Sequence, residues 1–162
     1  MNLAGNIKSI RDIMRKDAGV DGDAQRISQM VWMLFLKIFA DKEEEWELIL
    51  NDYESPISDN LKWQSWASDE EGLTGDELME FINNQLFPKL KDLDISQNPQ
   101  ARIIKSVFED TYNYMKNGTL FRQVINEINK IDFNDSSESH LFNDIYETIL
   151  KELQSAGDAG EY

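Results

Sequence analysis

Asp23-Ala24-Gln25-Arg26-Ile27-Ser28-Gln29-Met30-Val31-Trp32-Met33-Leu34-Phe35-Leu36-Lys37-Ile38-Phe39-Ala40-Asp41-Lys42-Glu43-Glu44-Glu45-Trp46 is the stretch that decides the fold. Ile27, Met30, Val31, Leu34, Phe35, Ile38 and Phe39 recur at helical spacing and draw a continuous apolar stripe. Trp32, Met33 and Leu36 carry apolar surface onto a second face, so the helix needs helical neighbours on most sides. A membrane span is excluded, because the unbroken apolar run stops at Leu36 and a span takes roughly 20 residues. Asp23 is the expected N-cap, and the run Asp41 to Glu45 is where the helix is expected to leave the core. The expectation is an all-α, multi-helix bundle around this central helix, at about residues 23–47.

Working outward, Leu3 to Asp17 reads as a first helix with Ile7, Ile10 and Met14 inward, ended by a turn containing Gly19 and Gly22. Downstream, Leu61, Trp63 and Trp66 suggest a short amphipathic piece. Thr74-Gly75-Asp76-Glu77 has capping-box spacing ahead of a helix carrying Leu78, Phe81, Ile82 and Leu86, which Pro88 should kink or restart. Asn98 and Pro99 open a helix whose period extends through Ile103, Ile104, Val107 and Phe108 to Met115, with Asn117-Gly118 as its stop. Thr119 is read as capping a helix from Leu120 to Ile131, and a last helix is expected from about Ser139 to Ser155. No stretch alternates with a strand's period of two between turn signals.

The chain of 162 residues is long enough for one domain with a sizeable core, and it has no cysteine, hence no disulfide or thiolate metal site. No signal-peptide pattern opens it, so a cytoplasmic protein is the default expectation. Its formal charge of −15 is a poor match for a phosphate backbone, but the charge is uneven. Residues 1–40 hold six basic and four acidic side chains, a balance of +2 that leaves −17 for the remainder. Within that segment Lys8, Arg11 and Arg15 share a helical face, either as a small phosphate-contacting stripe or as an ordinary solvated flank. The four tryptophans sit among acidic neighbours, which favours packing over base stacking.

Catalytic and metal chemistry is not written in the residue types. The lone His140 has no second histidine to share a metal, and neither Glu43-Glu44-Glu45 nor Asp69-Glu70-Glu71 places ligands at calcium-loop spacing. There is no glycine-rich phosphate loop and no nucleophile–histidine–acid set. From these residues the expectation is a binding or scaffolding domain, with no catalytic residue and no metal ligand.

Three stretches add a family. Ile10 to Phe39, including Arg26-Ile27-Ser28-Gln29-Met30, resembles the modification subunits of type I restriction–modification systems. So do Leu120-Phe121-Arg122-Gln123-Val124-Ile125-Asn126 and the C-terminal run Asp144 to Tyr162. The resemblance implies an N-terminal helical domain over residues 1–156. Residues 157–162 would then open an α/β domain that methylates adenine N6 with S-adenosylmethionine. Ala159-Gly160-Glu161-Tyr162 corresponds to the start of a motif that the family continues with an aromatic residue and Thr-Pro-Arg beside the cofactor. On that basis Glu161 and Tyr162 are the cofactor-proximal candidates. The family's cofactor loop and its Asn-Pro-Pro-aromatic motif are lacking here, which implies a fragment that cannot catalyse, from a parent that does. The resemblance further implies two modification subunits with one specificity subunit, a restriction subunit in the full complex, and double-stranded DNA as the target around which the helical domains close. The rival expectation is a stand-alone acidic helical protein that binds a partner or mimics DNA.

Overall fold

The computed structural model describes residues 3–96 and 98–131, so the expected last helix, His140, Glu161 and Tyr162 lie outside the described residues. Helix α2 (Gly22–Ile49) is the post that the sequence points to, and helix α1 (Leu3–Met14) precedes it. Ile7, Ile10 and Met14 are wholly buried, as the period of α1 requires. Along α2, Met30, Trp32, Met33, Leu34 and Leu36 are enclosed, whereas Ile27, Val31 and Phe35 are only half-buried. The enclosed side is thus rotated toward Trp32, Met33 and Leu36, and one line of the apolar stripe is only partly covered.

Both ends of α2 differ from expectation. Asp21, in extended conformation, holds the N-cap position without a side-chain cap bond. Asp23 lies inside the first turn because Arg26, one turn on, takes its carboxylate in a buried ion pair. The amide of Asp21 instead donates to Gln25 Oε1 at 2.7 Å. At the far end Asp41, Lys42 and Glu43 stay buried, so the helix does not leave the core at the charged run. Local partners make that burial tolerable. Lys37 holds Asp41 at 2.7–2.8 Å, Lys42 reaches Glu45 at 3.3 Å, and the Tyr53 hydroxyl donates to Glu43 at 2.7 Å.

A 3-10 turn (Asp59–Leu61) leads into the short helix α3 (Trp63–Trp66), whose two indoles are buried. Trp63 Nε1 donates to Asn129 Oδ1 at 2.8 Å and Trp66 Nε1 to the Leu61 carbonyl at 3.0 Å, which satisfies both polar atoms. Helix α4 (Gly75–Phe81) continues through a π-turn (Ile82–Leu86) into helix α5 (Phe87–Lys91). The α-helix is interrupted just ahead of Pro88 and restarts as α5 with the proline in its first turn, as expected. The widened turn, in which the Phe87 amide reaches back to the Ile82 carbonyl, makes room for the ring. The capping box is not formed: Thr74 makes no side-chain cap bond, and its hydroxyl faces the Gly118 carbonyl at 3.5 Å.

Helix α6 (Pro99–Phe108) starts as read, with the Asn98 side chain accepting from the Gln100 amide at 2.9 Å. It ends seven residues before Met115, and residues 109–117 run without helix. Helix α7 (Gly118–Asn129) is capped by Asn117, whose Oδ1 accepts from Thr119 and Leu120 at 2.9 and 3.0 Å; Thr119 is not the cap. Among the described residues there is no strand, and the fold is all-α. Its centre is the indole of Trp32. Phe87 of α5 meets it edge-on at 4.8 Å, with Phe108 of α6 at 6.1 Å and Phe121 of α7 at 5.9 Å. Four helices therefore share one aromatic cluster.

Candidate functional site

The basic N-terminal segment is the candidate nucleic-acid surface, and its side chains are not equivalent. Lys8 and Arg15 are exposed, while Arg11 on the same helical face is only 9 % exposed and packs inward. Arg26 is buried against Asp23, and Lys37 is engaged with Asp41. Lys16, one residue beyond Arg15 in the turn after α1, is also exposed. The period of α1 could not reveal this, because the helix ends at Met14. Arg15 also borders a groove of about 540 Å³ formed with Val20, Asp21, Gly22, Asp23 and Arg26. Asp12 and Asp21 are exposed beside these cations, so the surface is only weakly positive.

The polar residues of the family-like stretches serve the chain itself. Gln29 is wholly buried; its Oε1 accepts from the Tyr114 amide at 2.8 Å and its Nε2 donates to Asn113 Oδ1 at 2.9 Å. Asp17, also buried, accepts from the amides of Gly19, Lys116 and Asn117 at 2.8–3.1 Å. These two side chains supply acceptors for amides that a helix would otherwise satisfy, which explains why residues 109–117 leave the helical period. Gly19 belongs to the same contact, since a Cβ there would stand 2.2 Å from the Tyr114 carbonyl oxygen.

Arg122, within Leu120 to Asn126, does the equivalent work for the loop after α3. Its guanidinium donates to the carbonyls of Leu73 at 2.7 Å, Ala67 at 2.9 Å and Trp66 at 3.1 Å. Burial lowers its pKa, and nearby Asp69 partly offsets that. Charge reading of the sequence missed Asp17, Gln29 and Arg122, because their partners lie some 50–100 residues away.

Among the described residues no group of three or more His, Cys, Asp or Glu side chains is placed to hold a metal, and no helix is long and apolar enough to cross a membrane. Glu161 and Tyr162, the cofactor-proximal candidates, lie outside the described residues. What the described surfaces and clamps define is a helical module whose polar residues mainly brace its own loops. By its described residues it is an all-α helical domain. The chain belongs to the family described as the HsdM N-terminal domain, which matches residues 3–128.

Over its whole length the chain is 60% identical to the type I restriction enzyme EcoEI methylase subunit of Escherichia coli, of which it spans 34%. It superposes with a TM-score of 0.84 on the crystal structure of a modification subunit of a type I restriction enzyme from Vibrio vulnificus. That match has 38% identity and covers 99% of this chain and 37% of the other. A second solved structure, concerned with complex assembly and conformational transition of the type I R-M system, matches with a TM-score of 0.77 and 29% identity. It covers 93% of this chain and 30% of its counterpart. The chain is thus the N-terminal domain of a type I modification subunit and spans about a third of these relatives.

Proposed function

We propose that this domain serves subunit assembly and closure around DNA in a site-specific, S-adenosylmethionine-dependent adenine-N6 methyltransferase. The observation that carries the proposal is 60% identity to a methylase subunit across the entire chain. A base must leave the stack to reach a methyl donor, so a helical lobe opposite the catalytic part would hold the duplex while that happens. In this reading one specificity subunit reads the sequence for two modification subunits, and a restriction subunit joins the full complex. Residues 157–162 would begin the catalytic part, with Glu161 and Tyr162 near the cofactor. Lys8 and Arg15, with Lys16 beside them, would touch phosphate in the closed enzyme, whereas Arg11 would support them from within. The acidic remainder suits protein contacts better than a phosphate track. Family membership also displaces the rival reading of a stand-alone DNA mimic.

The test is methyl transfer to adenine, measured for the 162-residue chain alone and for the full-length subunit with its specificity subunit. Transfer is expected only from the second. Transfer by the short chain, or micromolar cofactor binding to it in calorimetry, would overturn the proposal. Changing Lys8, Arg15 and Lys16 to Gln in the assembled enzyme should flatten the log–log salt dependence of DNA binding by about 0.9 for each phosphate no longer neutralised.

A further inference from the structure

The C-terminal tip of α2 carries apolar surface that the described fold leaves open. Leu48 is 88 % exposed, Ile49 70 % and Leu50 49 %. They follow a helix segment whose charged residues Asp41, Lys42 and Glu43 are buried, which inverts the usual distribution of apolar and charged side chains. Leu50 borders a shallow groove of about 610 Å³ shared with Tyr53, Asn98, Pro99 and Gln100. Ile103, about one turn beyond Gln100 on α6, is 53 % exposed and extends the apolar surface.

The groove is fixed in shape. Tyr53 is tied to Glu43 by its hydroxyl and lies 5.6 Å from the Trp46 ring, and Asn98 Nδ2 donates to the Glu54 carbonyl at 3.2 Å. Four side chains open to solvent on a held frame form a preorganised docking surface.

Charge and size select the occupant. Glu44, Glu47, Asp52 and Glu54 are exposed around the tip, so phosphate is repelled and a second copy of the same patch would meet its own charge. The partner surface must be apolar at its centre and rich in Lys and Arg at its rim. The patch amounts to roughly a few hundred Å², whereas stable association of separate proteins buries about 1,200–2,000 Å² in total. A contact this small is sufficient when a covalent connection keeps the partner close. We propose that Leu48, Ile49, Leu50 and Ile103 seat the catalytic part of the same modification-subunit polypeptide. This rests on the reading of the chain as that subunit's N-terminal domain.

The experiment uses the absence of cysteine from this chain. Leu48→Cys and, separately, Ile103→Cys are labelled with a maleimide, and the rate at that peptide is read by mass spectrometry. The 162-residue chain, the full-length modification subunit alone, and that subunit with its specificity subunit are compared. At both positions the rate should fall at least about ten-fold from the short chain to the full-length subunit alone, and adding the specificity subunit should change it little. Equal rates in the short and full-length chains would overturn the proposal. So would protection that arises only with the specificity subunit, or protection that grows with subunit concentration, since either puts another chain on the patch. Failure of the underlying reading registers elsewhere, as absent methyl transfer by the full-length subunit with its specificity subunit.

Discussion

Replacing Arg122 with Met tests what braces the loop between α3 and α4. The substitution keeps an unbranched apolar stem of similar length and removes the donors to Leu73, Ala67 and Trp66. The Ala67 carbonyl keeps a second donor, Asn129 Nδ2 at 2.8 Å, so the carbonyls of Leu73 and Trp66 are the two left without their arginine donor. Each buried carbonyl that loses its donor costs about 1–3 kcal/mol. Removing a charge whose burial already lowers its pKa returns part of that, so the net loss should be about 2–4 kcal/mol. For a chain of this size the melting temperature should fall by roughly 4–16 °C, and the urea midpoint by about 1–2 M. Arg122→Lys should recover only part, since an ammonium lacks the planar fork that spans separated carbonyls. Hydrogen exchange should accelerate first in residues 66–73. A midpoint equal to that of the unaltered protein, or loosening spread evenly over the chain, would refute the reasoning.

Tyr53 gives a pH-dependent case. Burial, then its bond to Glu43, raises the phenol pKa well above the usual 10.0, so the folded state holds that proton more tightly than the unfolded chain. Its contribution is complete below pH 10 and declines as pH rises further, so the stability gap between wild type and Tyr53→Phe should narrow in denaturant titrations at alkaline pH. A constant gap would exclude the linkage. Gly118→Ala places a methyl group 2.0 Å from the Gly75 carbonyl oxygen, so it should destabilise by about 1–3 kcal/mol despite alanine's better helix propensity. A stabilised variant in thermal melts would show that the two backbones are not held together there. Leu34→Ala should cost about 2–5 kcal/mol, and the half-buried Phe35→Ala distinctly less than the 3–5 kcal/mol of an enclosed phenylalanine. A larger cost at Phe35 than at Leu34 would mean α2 is turned the other way.

Periodicity made the bundle legible: α1, α2, α6 and α7 are where apolar spacing puts them, and Trp32 of α2 lies among aromatic rings of α5, α6 and α7. It failed where distant side chains replace helix bonds. Met115 keeps the helical spacing and is buried, yet its segment is held out of the helix by Gln29 and Asp17. Caps shifted for a related reason, since Asp23 has Arg26 within one turn and Asn117 precedes Thr119 with a better-placed acceptor. The candidate surface was half legible. Composition located the basic segment, but the shared helical face of Lys8, Arg11 and Arg15 did not show that Arg11 is enclosed while Lys16 is exposed.

The proposed closure around DNA is most directly tested by hydrogen exchange in the full-length subunit assembled with its specificity subunit, with and without a cognate duplex. The account predicts slowed exchange within residues 8–16, on the surface bearing Lys8, Arg15 and Lys16, when the duplex is added. Slowing confined to the specificity subunit and the catalytic part, with residues 3–131 unchanged, would contradict it.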